Sequence, residues 1–166
     1  MSVTIKKDGF GQVEPNHLSA PRDGGVYAQL PADEEIEILE NGMFVKYDYA
    51  NDKCDFTGDG AWMLVFNEEK LYDERYQMHK HYAMQVKDFY DGKMYPRVFR
   101  ISVGDIFTTN MFAEDTELTK GDKVAPGADG ILAAAGDDAE GVVFQVVKET
   151  TMPDGQPAVK LQCIAE

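Results

Sequence analysis

The chain has 166 residues, with 16 Lys and Arg against 30 Asp and Glu, a net charge of −14 and a pI near 4.5. That excess of carboxylates works against phosphate backbones and anionic membrane surfaces, because each phosphate contact needs a cation to displace counterions. With 43% hydrophobic and 11% aromatic residues the chain has the means to build a core, so it is not a disordered acidic tail.

Residues 1–25 hold Gly9, Gly11, Pro15, Pro21, Gly24 and Gly25 and no sustained apolar period. They read as an extended N-terminal arm that is loose or orders on something else. Met1 to Asp8 contain no apolar run of signal-peptide length, and no stretch reaches bilayer length, so a location inside the cell is expected. Val26–Leu30 reads as a short strand. Ile36–Leu39 and Phe44–Tyr47 flank Asn41-Gly42, which predicts a hairpin with positive φ at both central residues. The almost wholly apolar run Ala61–Phe66 predicts a central strand buried on both faces.

Residues 67–92 mix helix formers with aromatics and read as a short helix or an irregular segment. Strands are expected at 95–103 and 105–110. Two further pairs flank the turns Pro126–Gly130 and Met152–Gln156, the second with the order Pro-Asp-Gly. In the last of these strands Val159, Leu161 and Cys163 share one face, and Lys160 and Gln162 the other. The expected fold is mainly β: a small sandwich or barrel of short antiparallel strands with at most one short helix. It divides into the arm (1–25), a β-rich domain with an aromatic, basic segment (26–110) and an acidic β subdomain (111–166).

Few residues point to chemistry. Cys54 and Cys163 lie far apart without a CxxC and read as two reduced thiols. His79 and His81 would share a face on a strand and could bind one metal; the alternative is two exposed imidazoles. Asp55, Thr57, Asp59 and Gly60 fit the opening of an EF-hand loop, but its closing Glu is replaced by Phe66. There is no Gly-x-Ser-x-Gly and no P-loop. The expectation is therefore a non-enzyme without metal or cofactor.

Charge placement is more informative than charge total. Residues 70–100 are net +3 and carry seven Tyr and Phe, whereas residues 101–166 are net −8. Tyr and Arg are the side chains enriched where proteins bury surface against one another. The opposing reading is that the aromatics build the core and the cations offset nearby acids.

The segments Leu118-Thr119-Lys120-Gly121-Asp122-Lys123-Val124, Gly127-Ala128-Asp129-Gly130-Ile131-Leu132 and Gly141-Val142-Val143-Phe144-Gln145-Val146 resemble a small β module of tailed-phage virion proteins. With Asn16–Ala20 and Tyr95–Phe99, the chain resembles the capsid decoration (cement) proteins of phages infecting Gram-positive bacteria. The resemblance implies a virion structural protein that braces the outer capsid surface, reached from the host cytoplasm during assembly. Its partner would be the major capsid protein, with homo-oligomers on the lattice and neither nucleic acid nor membrane involved. Shell contacts are expected at Asn16, His17, Leu18, Lys93, Tyr95, Arg97, Phe99 and Arg100. The alternatives are another virion part (head-fibre base, head–tail joining or tail protein) or a cytoplasmic metal- or ligand-binding β-module using Asn51–Asp59 or His79/His81.

Overall fold

The computed structural model describes residues 1–67 and 74–166. Its strands in chain order are β1 (Ser2–Ile5), β2 (Val13–His17), β3 (Val26–Tyr27), β4 (Ile38–Leu39), β5 (Phe44–Asp48), β6 (Lys53–Asp55), β7 (Trp62–Val65), β8 (Met84–Gln85) and β9 (Val98–Arg100). There follow β10 (Ile106–Thr109), β11 (Thr116–Thr119), β12 (Lys123–Pro126), β13 (Leu132–Ala134), β14 (Val143–Thr151) and β15 (Pro157–Ala165). The described helices are the four-residue turns α1 (Ala20–Asp23) and α2 (Met78–His81), with a 3-10 turn at Val86–Asp88.

The expected mainly β fold is what forms: the two largest sheets, both antiparallel, lie face to face, and the pairs β1-β11 and β4-β8 make two small ones. One of the large sheets has the order β13-β12-β14-β15-β10-β2 and the other β3-β9-β7-β5-β6. Alternation along each strand supplies the shared core. Phe44, Leu64 and Phe99 point from the five-stranded sheet toward Phe107, Phe144, Val159 and Leu161 of the six-stranded one. Three rings bridge the gap: Phe44 lies 5.5 Å from Phe144, and Phe107 meets Phe144 edge-on at 5.3 Å. The opposite face of the five-stranded sheet is also covered. Val45, Met63, Val65 and Val98 pack there against Ile36, Leu39, Met94 and Met111. The run at 61–66 therefore is a central strand buried on both faces, as its composition predicts.

The turns at Gly127–Gly130 and Met152–Gln156 close their hairpins, through Gly127 N–H to the Ile131 carbonyl (2.8 Å) and Met152 N–H to the Gln156 carbonyl (2.8 Å). Two expectations need correction. The Asn41-Gly42 turn does not join a hairpin, since β4 pairs with β8 while β5 lies between β6 and β7. Only Gly42 has positive φ, and the Asn41 side chain is buried, accepting the Asn67 N–H at 2.8 Å. A positive φ at the second central residue alone is the pattern of a type II turn, which splays the flanking strands, and not of the primed turns that close two-residue hairpins.

The N-terminal segment is not a free arm. β1 pairs with β11 and β2 with β10, and Ile5 and Val13 enter the main core. Buried polar groups fix it further. Gln12 N–H donates to Asn110 Oδ1 (2.8 Å), and the Gln12 amide donates to Asp154 Oδ2 (3.0 Å). Asp105 accepts the Ser19 N–H (3.0 Å) and hydroxyl (3.1 Å). Strands from 13–17, 106–109 and 123–165 thus share one sheet across the boundaries expected at 25 and 110.

Candidate functional site

The segment leading into β9 alternates. Met94, Pro96 and Val98 are buried while Lys93, Tyr95 and Arg97 are exposed, so an extended backbone sets three expected contact residues in one outward row. Met94 anchors the segment, lying 1% exposed in the outer core with its carbonyl accepting the Ala32 N–H at 2.7 Å. Next to the row, the turn Phe89–Gly92 closes through Gly92 N–H to the Phe89 carbonyl, leaving Phe89 and Tyr90 in solvent. Phe89, Tyr90 and Tyr95 are large apolar side chains exposed within seven residues.

Arg97 is held in place. Its N–H donates to Asn67 Oδ1 (2.9 Å), and its guanidinium lies 4.8 Å from the centre of the Phe99 ring. Phe99 itself is 2% exposed, packed in the main core 5.7 Å from Phe66. It is therefore a structural residue and leaves the contact set. The period-two pattern explains why: Val98 faces one core and Phe99 the other. Arg100 is exposed at the end of β9, opposite Met63.

Asn16, His17 and Leu18 belong to a different sheet. Asn16 and His17 are exposed on edge strand β2, but Asn16 Oδ1 already accepts the Thr108 hydroxyl at 2.7 Å. Leu18 is half-buried against the main core. The structure thus brings together Lys93, Tyr95 and Arg97, and sets the 16–18 segment apart from them on another sheet. Lys70 and Tyr72, part of the basic, aromatic segment, lie outside the described residues.

Local structure engages part of the alternative sites. Asp55 Oδ1 accepts the N–H groups of Thr57 (3.0 Å) and Gly58 (2.7 Å), and its other oxygen lies 3.4 Å from Lys53 Nζ. Lys53 also pairs with Asp33, and that hydrogen bond holds the Asp33 carboxyl below its usual range. His79 and His81 lie on α2 and not on the strand that the shared-face expectation needs. His81 is exposed against the Tyr76 ring. No group of three or more His, Cys, Asp or Glu among the described residues is arranged to hold a metal. Burial pushes the free Cys54 thiol up to about 12 and the free Cys163 thiol up to about 11, so both stay protonated and unreactive. No described helix is long and apolar enough to cross a membrane.

What the sequence does not reveal is a cleft lined by Tyr27, Tyr47 and Tyr49 with Arg100. These residues come from β3, β5, the turn that follows β5, and β9, whose register only the folded sheet sets. No family model, curated protein or solved structure matches this chain.

Proposed function

We propose that this chain is a non-enzymatic virion structural protein that binds the outer surface of a tailed-phage capsid and stabilises the shell. The observation that supports it is the outward row Lys93, Tyr95 and Arg97 beside the exposed Phe89 and Tyr90. Rigid aromatic area flanked by cations, in a chain of −14, suits a protein surface bearing carboxylates. The flanking buried residues hold the row in a fixed backbone, so little conformational freedom is lost on docking. The acidic remainder keeps decorated particles apart in solution.

Co-sedimentation with mature heads of a tailed phage carrying this reading frame tests the reading. The wild-type chain pellets with the heads at hundreds of copies each, whereas a joining protein saturates at about a dozen, one ring on a cyclic vertex. Lys93→Glu, Tyr95→Ser and Arg97→Glu together abolish pelleting while the circular dichroism spectrum is unchanged. Wild-type protein that stays in the supernatant refutes the role. Retained binding by the triple variant refutes the surface.

A further inference from the structure

The six-stranded sheet turns Phe107, Phe144, Val159 and Leu161 inward, so their neighbours along each strand point outward. Across that outer face Gln162, Ile106 and His17 stand in one row, and Lys148, Lys160, Thr108 and Glu14 in the next. Two of the expected contact residues, Asn16 and His17, therefore belong to this face and not to the 93–97 row, with the Thr108 hydroxyl donating to Asn16 Oδ1.

The second row holds an unrelieved conflict. The register shift between Val146 and Lys148 sets Lys148 directly opposite Lys160, with Cβ atoms about 5 Å apart. Neither ammonium has a carboxylate partner among the described residues, in a chain with thirty acids. Glu149 lies opposite Val159, on the core side of its strand, and Glu14 stands beyond Thr108 on the edge strand. An anion lodged between Lys148 and Lys160 gains two attractions and cancels one repulsion. Natural chains break a local pairing rule of this kind chiefly at functional sites.

We propose that this face is a second docking surface, on which a subunit of the shell sets an Asp or Glu side chain between Lys148 and Lys160. The inference rests on the shell-binding reading and deepens it. Met94 anchors the 93–97 row on the far side of the five-stranded sheet, so the two surfaces meet different subunits and one chain braces both. A second copy is the poorer occupant, since it brings the same lysine pair and a further net charge of −14. The field of that charge also turns away a polyanion, whereas a single carboxylate on a protein surface fits the pair.

The test uses the full chain, heads of the tailed phage, and the capped peptides Ac-Ala-Glu-Ala-NH₂ and Ac-Ala-Gln-Ala-NH₂. Lys148→Glu turns the like pair into an opposite one, so the fold is kept and the urea midpoint does not fall. Its affinity for heads nevertheless drops about tenfold or more, because a carboxylate now faces a carboxylate. In the ¹⁵N-labelled wild type the glutamate peptide at millimolar concentration shifts the amide signals of Lys148 and Lys160, and the glutamine peptide leaves them in place. If Lys148→Glu pellets with heads like wild type while the 93–97 triple variant does not, the second surface fails and the shell role stands. Amide signals that stay put, or move equally with both peptides, overturn the lysine pair as a carboxylate site. Glutamate-selective shifts in a chain that never pellets with heads overturn the shell as partner. A concentration-dependent dimer that Lys148→Glu abolishes in sedimentation velocity makes a second copy the occupant and overturns the proposal.

Discussion

Gly42 carries the backbone at φ +95°, and a Cβ there would lie 2.6 Å from Met111 Cβ and 2.7 Å from Thr109 Oγ1. Gly42→Ala therefore combines left-handed strain with overpacking against β10 and its exit. We expect a loss of about 2–4 kcal/mol in urea unfolding at unchanged m-value. Asp154 shows how one carboxylate can tie distant segments. Burial alone would raise its pKa, but bonds from the Gln12 and Gln156 amides and the Gln156 N–H outweigh that and hold it below the usual value. A depressed folded-state pKa contributes stability that is fully present above about pH 4, the unfolded value, and is lost as the pH falls through the lower folded one. Asp154→Asn is expected to cost about 1 kcal/mol at pH 7. The difference between variant and wild type shrinks below pH 4, which paired thermal melts from pH 7 to 2 will follow.

Among the elements, the long hairpin β14–β15 contains an electrostatic conflict. A register shift between Val146 and Lys148 places Lys148 directly opposite Lys160. Like charges across a strand pair repel, and a bulge is the usual means of re-aiming a side chain. Lys148→Glu turns repulsion into attraction and is expected to raise stability by about 0.5 kcal/mol, an effect that 1 M salt removes in a chemical-denaturation series. This hairpin was legible in the sequence because its information is local: Met152–Gln156 sets the turn, and the alternation of Val159, Leu161 and Cys163 sets the face. The same holds for β7, whose unbroken apolar run reports burial on both faces. β1 and β2 were not legible, because β1 pairs with β11 more than a hundred residues on and the Gly- and Pro-rich text around them carries no period. Of the segment 93–100, Lys93, Tyr95 and Arg97 are exposed, as a surface role requires. Phe99 was misread because its identity as an aromatic said nothing about which side of β9 it takes. The Tyr27–Tyr49 cleft was invisible for a related reason, since Tyr49 lies just past the end of β5, where no pattern reaches.

At the scale of the molecule, a net charge of −14 spread over a small sandwich opposes its own compaction. Raising ionic strength from about 0.01 M to about 0.15 M shortens the screening length from about 30 Å to about 8 Å. The thermal midpoint is accordingly expected to rise over that range in scanning calorimetry, and to level off beyond it. A flat response would mean that attractive pairs such as Lys7–Glu40 and Lys123–Asp137, weakened by the same salt, offset the relief of repulsion.

The stitching of residues 2–17 into both β11 and β10, and of Gln12 to the turn at 154, has a temporal consequence. On the ribosome this stretch is made before its partners and must wait, unpaired, until about ninety or more further residues have been translated. The sandwich is thereby closed late, and a nascent polypeptide stalled before that point would leave β1 and β2 without their partner strands, open to a neighbouring molecule.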